Sequence, residues 1–445
     1  MSATAHAERG TASTALRAFE EQWQSRTLDS LESVREKAME RFLALGLPTS
    51  RDESWRYTNI RNLNSVRFAA AQAYARGDMA PFASVSLLDD AQRAATISMF
   101  NGHPWLRAID SVINDIEVAS LKEVARLDPK MLMDLIGAPS AADNQRWALL
   151  NTALFTDGLY LKVTKNVPIP LVILHVGVGT DTDTIAYPRV VIEVAPGASA
   201  TIIEHHVAQG ERAVLVNSNT HVSLGQGGQL EHYRVFATGR ESTHFDYLAV
   251  RQERDSLLKQ FTIALGGGLV RADMDVNLNQ PGATLQSNSL LVGYEGRHVD
   301  CVNIVKHAAP NTTSRQTSRA IASDNSRVIF NSKVHVNPGA VRAESHQSCR
   351  GLLLSDEAEI DSRPQLEIHA DEVKCMHGAT TGRLDPEMLF YLLSRGLDRN
   401  TAQSLLVFAF LADVLTGMSV PSARNSIENA LINQMPDSQL LRNFR

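Results

Sequence analysis

The chain has 445 residues and a formal net charge of −6, with 44% hydrophobic and 21% charged residues. This length predicts two or three modules, and the apolar fraction is sufficient for a folded core. The basic residues are scattered along the chain, which argues against nucleic acid or an anionic membrane as a partner, because both require a concentrated positive surface.

The cysteines and the apolar runs predict the cellular compartment of the protein. Cys301, Cys349 and Cys375 are odd in number and far apart, which argues against a disulfide framework and favours a reducing environment. The first residues carry no apolar core of a secretory signal. The longest apolar run, 405–412, is far shorter than the ~20 residues of a membrane span. We therefore predict a cytoplasmic protein.

The first module, residues 1–158, is predicted to be mostly helical. Leu16, Phe19 and Trp23 recur at three- and four-residue steps among charged neighbours, and the same spacing continues through 31–42. This is the pattern of amphipathic surface helices. A polar segment, residues 50–58, then includes two large aromatic side chains that we expect to anchor a loop by packing. The rest of the module is predicted to form short strands at 96–100 and 116–118 and helices from residues 121 and 130.

The second module, residues 159–377, has the period of strands. Short alternating runs are separated by turn residues, and the triplet Pro-Gly-Ala occurs at 196–198, 281–283 and 338–340. Proline followed by glycine suits the second and third positions of a type II turn. Such a long region of strand without helix favours a mainly β fold, a right-handed parallel β-helix in which each rung covers the next. A large β-sandwich, or a pair of them, is the alternative.

The third module, residues 378–445, is predicted to be helical. Asp385 and Asp398 are suitable N-caps for two successive helices, and a third helix is expected over Pro421–Asn433. The run Leu405–Leu411 is apolar on every face, which a surface helix would not be. We therefore expect that helix to be packed on both sides, by this protein or by a partner.

Cys375 and His377 stand where the strands give way to helices. Side chains two residues apart on a strand point to the same side, about 6.6–6.8 Å apart along the backbone. A thiol and an imidazole alone cannot complete a tetrahedral metal site, which needs about four ligands. The pair is therefore predicted to be half of a metal or cluster site, to be completed by groups from elsewhere in the chain or from a second one.

The alternation before this pair predicts its orientation. Leu366 and Ile368 indicate that even-numbered residues face inward, and a one-residue bulge near 371–372 would shift the phase. Cys375 and His377 would then face inward. A shielded thiol has a raised pKa and is inert, so Cys375 is expected to be a core residue, whereas His377 lies nearer the edge and is the better candidate for contact chemistry.

Other motifs give weak signals. The sequence contains no Cys-x-x-Cys and no Walker A motif, and Gly266–Gly268 lacks the helix that a phosphate cradle requires. The remaining histidines on strands show no triad and no metal spacing, namely His205, His206, His298, His307, His335, His346 and His369. The chain alone is predicted not to be an enzyme.

With these residues in view, the sequence resembles the SufB/SufD family of iron–sulfur cluster assembly scaffolds. The resemblance covers nearly the whole chain, and its most specific part is 374–380 together with 390–396. Further matching segments are 50–58, 151–158, 307–310, 351–355 and 366–371. The resemblance implies a right-handed parallel β-helix between helical ends.

The resemblance also implies partners. It implies a complex with SufB and two copies of the ABC-type ATPase SufC, with the C-terminal helices docking onto SufC. His377 would lie at the SufB interface, where a cluster or iron is held transiently and no cofactor is tightly bound, and a homodimer is possible for the isolated chain. Gly378 stands where SufB has a glutamate, which favours the SufD branch. Cys301 departs from the family, since relatives often carry a histidine there.

Two alternatives belong to other functional classes. A β-helix carbohydrate lyase would be secreted and would carry an acidic cluster, often with Ca²⁺, whereas the acidic residues here are scattered. A purely structural β-helix would have no ATPase partner. Copurification with an ABC-type ATPase distinguishes these alternatives from the scaffold function.

Overall fold

The computed structural model describes most of the chain. The described ranges are 13–73, 96–106, 115–137, 145–179, 181–209 and 214–434. Residues 1–12 and 435–445, at the outer ends of the predicted first and third modules, lie outside these ranges. Within the described ranges, no helix combines the length and apolarity needed to cross a membrane.

Two parallel sheets wind into a solenoid of about eight turns. From the eighth strand onward, strands alternate between the sheets along the chain, and each pairs in parallel with the strand one turn away. Two pairs near the N-terminal end, β2 with β3 and β4 with β5, are antiparallel. The eleven-stranded sheet contains β1 (Ala69–Ala70), β4 (Ile116–Ser120), β5 (Leu159–Val163), β7 (Thr184–Ala186), β8 (Arg189–Val194), β10 (Val214–Leu224), β12 (Thr243–Gln252), β14 (Leu269–Leu278), β16 (His298–His307), β18 (Arg327–Val336) and β20 (Glu359–Ile368). The ten-stranded sheet contains β2 (Thr96–Phe100), β3 (His103–Trp105), β6 (Leu171–Val178), β9 (Ser199–Gln209), β11 (Gln229–Phe236), β13 (Leu257–Ala264), β15 (Thr284–Gly293), β17 (Thr313–Ala322), β19 (Glu344–Leu353) and β21 (Lys374–Gly382).

This arrangement confirms the parallel β-helix and excludes the sandwich. The three Pro-Gly-Ala triplets lie in turns, and their glycines adopt positive φ angles of 71°, 79° and 85° at Gly197, Gly282 and Gly339. Inside the solenoid, equivalent apolar residues stack from turn to turn, as Leu230 does on Leu258. Each turn therefore buries its inward side chains against its neighbours.

Eight α-helices are described, and they flank the solenoid. They are α1 (Thr14–Ser25), α2 (Glu32–Leu45), α3 (Leu121–Leu127), α4 (Pro129–Ile136), α5 (Arg146–Leu154), α6 (Pro386–Ser394), α7 (Arg399–Leu415) and α8 (Pro421–Asn433). The predicted first two helices and the helix over Pro421–Asn433 are confirmed, as are the strands near 96 and 116. These two strands join the sheets, since β2 pairs with β6 and β4 with β5. The module boundaries at 158 and 377 stay a prediction.

The N-terminal segment 50–58 is anchored to the eleven-stranded sheet through Arg271. The guanidinium of Arg271 lies 3.9 Å from the ring centroid of Trp55 and donates to the carbonyl of Ser54 at 2.7 Å. The same group pairs with Asp300 at 2.7 Å and with Asp273 at 3.0 Å, and all three charged side chains are buried. The prediction that aromatic residues anchor this segment is confirmed for Trp55.

The C-terminal helices pack on the ten-stranded sheet, and their coverage is uneven. In α7, Val407 and Leu411 are buried in a cluster with residues of the sheet, while Phe408 and Phe410 are half-buried and Ala409 is exposed. The apolar run is therefore covered on one side by this chain and only in part on the other. In α6, no residue is buried.

Candidate functional site

The last turn of the solenoid, formed by β20 and β21, is uncovered. In the described part of the chain, β20 pairs only with β18 and β21 only with β19. Every residue of β21 except the half-buried Cys375 is exposed. The outer edge of each strand therefore presents backbone N–H and C=O groups on which another chain can pair. We call the surface formed by β20 and β21 the open end.

Cys375 and His377 both face the interior of the solenoid, as predicted. They pair in register with Ser345 and Gln347, which are buried inward-facing residues of β19. Cys375 packs against the main core, and burial raises the pKa of its thiol, opposed by a backbone hydrogen bond from Ser345. His377 is exposed because no further turn covers it.

The change of phase before this pair has a different origin from the predicted bulge. Residues up to Ile368 belong to β20 in one sheet, and β21 begins at Lys374 in the other. Between them the chain turns, with Glu372 in the left-handed region at φ 54°. The bulge prediction was wrong because one apparent run of alternation consists of two strands separated by a turn.

A column of polar side chains lies in the solenoid beneath His377. Through successive register pairs, the positions below it are Gln347, Gln316, Ser287 and Gln260, followed by His232. His232 and Gln260 are hydrogen-bonded at 2.9 Å through Nδ1 and Oε1, and all of these side chains below His377 are buried. The interior is therefore apolar on one side of the cross-section and polar on the side that ends at His377.

The column begins at a buried carboxylate, Glu204. Its oxygens lie 2.9 Å from Nε2 of His175 and 2.9 Å from Nε2 of His232, and Thr220 donates to it at 2.9 Å. Burial opposes ionisation of this carboxyl, but the hydrogen bonds from the two histidines outweigh it and hold the pKa of Glu204 well below its usual value. A buried charge is thereby compensated on several sides.

Among the described residues, three groups of side chains have donors close enough to share a metal ion. In each group the potential ligand atoms lie within 4.8 Å of one another. The groups are His175, Glu204 and His206; His206, His244 and Asp246; and His335, Glu367 and His369. Spacing along the sequence did not predict them, because residues of adjacent turns lie about thirty positions apart in the sequence. Among the described residues, neither Cys375 nor His377 belongs to such a group, so their role in a half-site stays a prediction.

The buried histidines make the fold sensitive to acid. Burial lowers the pKa of His205 and His244 to about 3 and that of His307 to about 4. Burial likewise lowers the pKa values of His206 and His221 well below the usual range. In an unfolded chain such imidazoles take up protons near pH 6.5, so below that pH the unfolded state binds more protons than the folded state.

Lowering the pH from 7.5 to 5.5 is therefore expected to reduce the free energy of unfolding by several kcal/mol, since each excess proton costs about 1.4 kcal/mol per pH unit. Three buried aspartates oppose this trend, because burial raises the pKa of Asp273 to about 7 and also raises the pKa values of Asp246 and Asp275. The five histidines outnumber them. Guanidinium titrations at the two pH values measure the change. The exposed control His346→Ala should keep the same pH slope, and a stability that is flat or higher at pH 5.5 would contradict the prediction.

Comparisons with known proteins identify the family. The model described as SUF system FeS cluster assembly, SufBD core domain, matches residues 177–410, and the SufBD protein N-terminal region matches residues 14–173. The core match alone covers more than half of the chain. The protein belongs to the SufBD family. It is an iron–sulfur cluster assembly protein of the SUF system, as the resemblance implied.

Several SufBD relatives are similar over most of their length. The iron–sulfur cluster assembly protein SufD of Escherichia coli (strain K12) is 27% identical over 406 residues, which cover 89% of this chain and 92% of the relative. A SufBD family protein of Synechocystis is 28% identical, with 92% of each chain covered. SufD of Bacillus subtilis is 25% identical over 65% of this chain and 67% of the relative.

Proposed function

We propose that this protein is a SufD-like, non-catalytic scaffold subunit that pairs with SufB through the open end and binds the ATPase SufC through its C-terminal helices. Iron enters and a cluster forms at the interface with SufB, next to His377. The observation that carries this proposal is the uncovered last turn, in which an exposed imidazole and a half-buried thiol share one face.

The open end supports pairing with another chain of the same architecture. Within the part of the chain that the structure describes, the nine residues of β21 have no partner strand on one edge, and edges of this length are normally protected in monomeric proteins. A second solenoid could continue both sheets across the junction. His377 would then be covered and would meet the groups of the partner.

The chemistry of the pair supports a shared site. A thiol must lose its proton to bind iron, and burial raises the pKa of Cys375, so this thiol is protonated and unreactive in the isolated chain. His377 is exposed, so its imidazole is accessible to a metal ion. His377 is therefore the first contact for iron, and the partner supplies the remaining ligands.

The C-terminal helices support a second interface. Met388, Phe390 and Tyr391 of α6 are 58%, 72% and 56% exposed. Aromatic and methionine side chains are enriched at protein interfaces, and α6 leads directly from β21 through residues 383–385. Movement of the bound ATPase would thus act on the strand that carries His377.

The proposal is tested with the purified complex of this protein, SufB and SufC. Replacing His377 with alanine is expected to reduce cluster formation at least about tenfold, the effect of losing a metal ligand or its positioning group. Cluster formation is measured by the visible absorbance of the product and by its iron and sulfide content.

The matched control is Met376→Ala. Met376 is an exposed neighbour on the opposite face of the same strand, so this variant should form clusters at the normal rate. Equal cluster yield with His377→Ala and the unaltered chain would remove His377 from the chemistry. Failure of the unaltered chain to copurify with an ABC-type ATPase would remove the scaffold function itself.

A further inference from the structure

A histidine–carboxylate cluster lies on the outer face of the eleven-stranded sheet, on the last strand, β20, and its neighbour β18. His335 of β18 pairs in register with Glu367 of β20, and both side chains point outward because their neighbours Val334 and Leu366 pack in the core. His369 follows two residues after Glu367, so it lies on the same outer side of the solenoid.

Both imidazoles approach the same carboxylate. Nδ1 of His335 lies 3.5 Å from Oε2 of Glu367, and Nε2 of His369 lies 3.4 Å from Oε1. The two ring centroids are 5.1 Å apart, and the rings are tilted by 52°. The potential ligand atoms lie within 4.8 Å of one another, so a small movement of side chains that are 29%, 41% and 48% exposed would close them around an ion.

The carboxylate of Glu367 already forms an ion pair with a lysine side chain. Nζ of Lys333 lies 2.6 Å from Oε2 of Glu367. The lysine side chain is 45% exposed and its long stem can swing away, because a solvent-exposed ion pair is only weakly held.

The two imidazoles and the carboxylate favour a transition-metal ion over other cations. Two imidazoles and one carboxylate with open positions form the facial triad that holds non-haem Fe²⁺. Hard cations such as Mg²⁺ and Ca²⁺ prefer oxygen ligands alone, and the described cluster contains no thiolate for soft ions. If the cluster were only a surface ion pair between Lys333 and Glu367, neither imidazole would be needed beside the carboxylate.

We propose that His335, Glu367 and His369 form a surface binding site for a divalent transition-metal ion such as Fe²⁺. This site is separate from Cys375 and His377 and needs no partner subunit. Lys333 acts as a competing cation that must leave when the metal binds.

The test uses untagged full-length protein titrated anaerobically with Co²⁺, whose visible absorption bands report its coordination, and then with Fe²⁺ in equilibrium dialysis. One equivalent is expected to bind at this site. His335→Ala, His369→Ala and Glu367→Gln should each weaken this binding at least about tenfold. Lys333→Met should strengthen it, because the competing ammonium is gone.

One control separates this site from others. His346→Ala removes an exposed histidine in the other sheet and should not change the affinity. Cluster formation with His377→Ala is a separate measurement, so the failure of this proposal and the failure of the proposed function are distinguishable. Unchanged affinity in both His335→Ala and His369→Ala, or weaker binding in Lys333→Met, would overturn the proposal. Because these side chains are exposed, circular dichroism and thermal melting should match those of the unaltered chain.

Discussion

Replacing Arg271 with methionine is expected to lower the free energy of unfolding by about 3–5 kcal/mol at pH 7.5, the cost of breaking a buried ion pair from one side. The substitution keeps an unbranched apolar stem but removes the guanidinium, and it leaves the carboxylates of Asp273 and Asp300 buried without their cation. It also removes the contact with Trp55 and the hydrogen bond to Ser54. Guanidinium denaturation followed by tryptophan fluorescence measures the loss.

Further substitutions distinguish the loss of the buried ion pairs from a simple loss of side-chain packing. Arg254→Met, at an exposed position of a turn, should change the stability by less than about 0.5 kcal/mol. Adding Asp300→Asn and Asp273→Asn to Arg271→Met should recover part of the loss, because the unpaired charges are then gone. If Arg271→Met were as stable as the unaltered chain, the buried charges would not hold segment 50–58 to the solenoid.

The double substitution Phe390→Ala and Tyr391→Ala is expected to weaken association with the ATPase at least about a hundredfold, if the proposed function is right. Two aromatic anchors at an interface typically cost about 2 kcal/mol or more each, and about 1.4 kcal/mol corresponds to a factor of ten in affinity. Both side chains are exposed in the isolated chain, at 72% and 56%. The free energy of unfolding should therefore stay within about 0.5 kcal/mol of the normal value.

Binding of the purified ATPase is measured by calorimetry. The control is Leu28→Ala, which removes an exposed apolar side chain, 73% accessible, near the other end of the molecule and should leave the affinity unchanged. Equal affinity for the doubly substituted chain would exclude α6 as the docking element. That result would not test whether SufB pairs with the open end.

Local signals in the sequence predicted much of the fold. The caps at Asp385 and Asp398 accept hydrogen bonds from the backbone of Glu387 and Thr401, as expected. The Pro-Gly-Ala triplets mark turns, and the alternation of Cys375 and His377 gave their common face. These features depend on residues within a few positions of one another, and a single sequence contains them in full.

The interior of the solenoid could not be predicted in the same way. Glu204 meets His175 and His232 only because the turns stack with a particular register, and the turns differ in length. Each of these residues alone has the pattern of an ordinary strand position. The cluster of His335, Glu367 and His369 was missed for the same reason, since its first member belongs to the previous turn.

The burial of helix α7 was predicted only in part. Its composition predicted burial on both sides, and the structure buries Val407 and Leu411 on one side while Phe408 and Phe410 are half-buried. Periodicity indicates that a face is apolar, but not whether the same chain or another one covers it. The prediction about a partner at this helix therefore remains a proposal.

Because each turn is held mainly by the turns beside it, mechanical support decreases toward the open end. A middle strand such as β15 is bonded on both edges, whereas among the described residues β21 is bonded along β19 alone. Local opening costs least where neighbours are fewest. His377 thus lies in the part of the solenoid where we expect local opening to cost least, which would let the proposed site adjust its shape when iron or a partner binds.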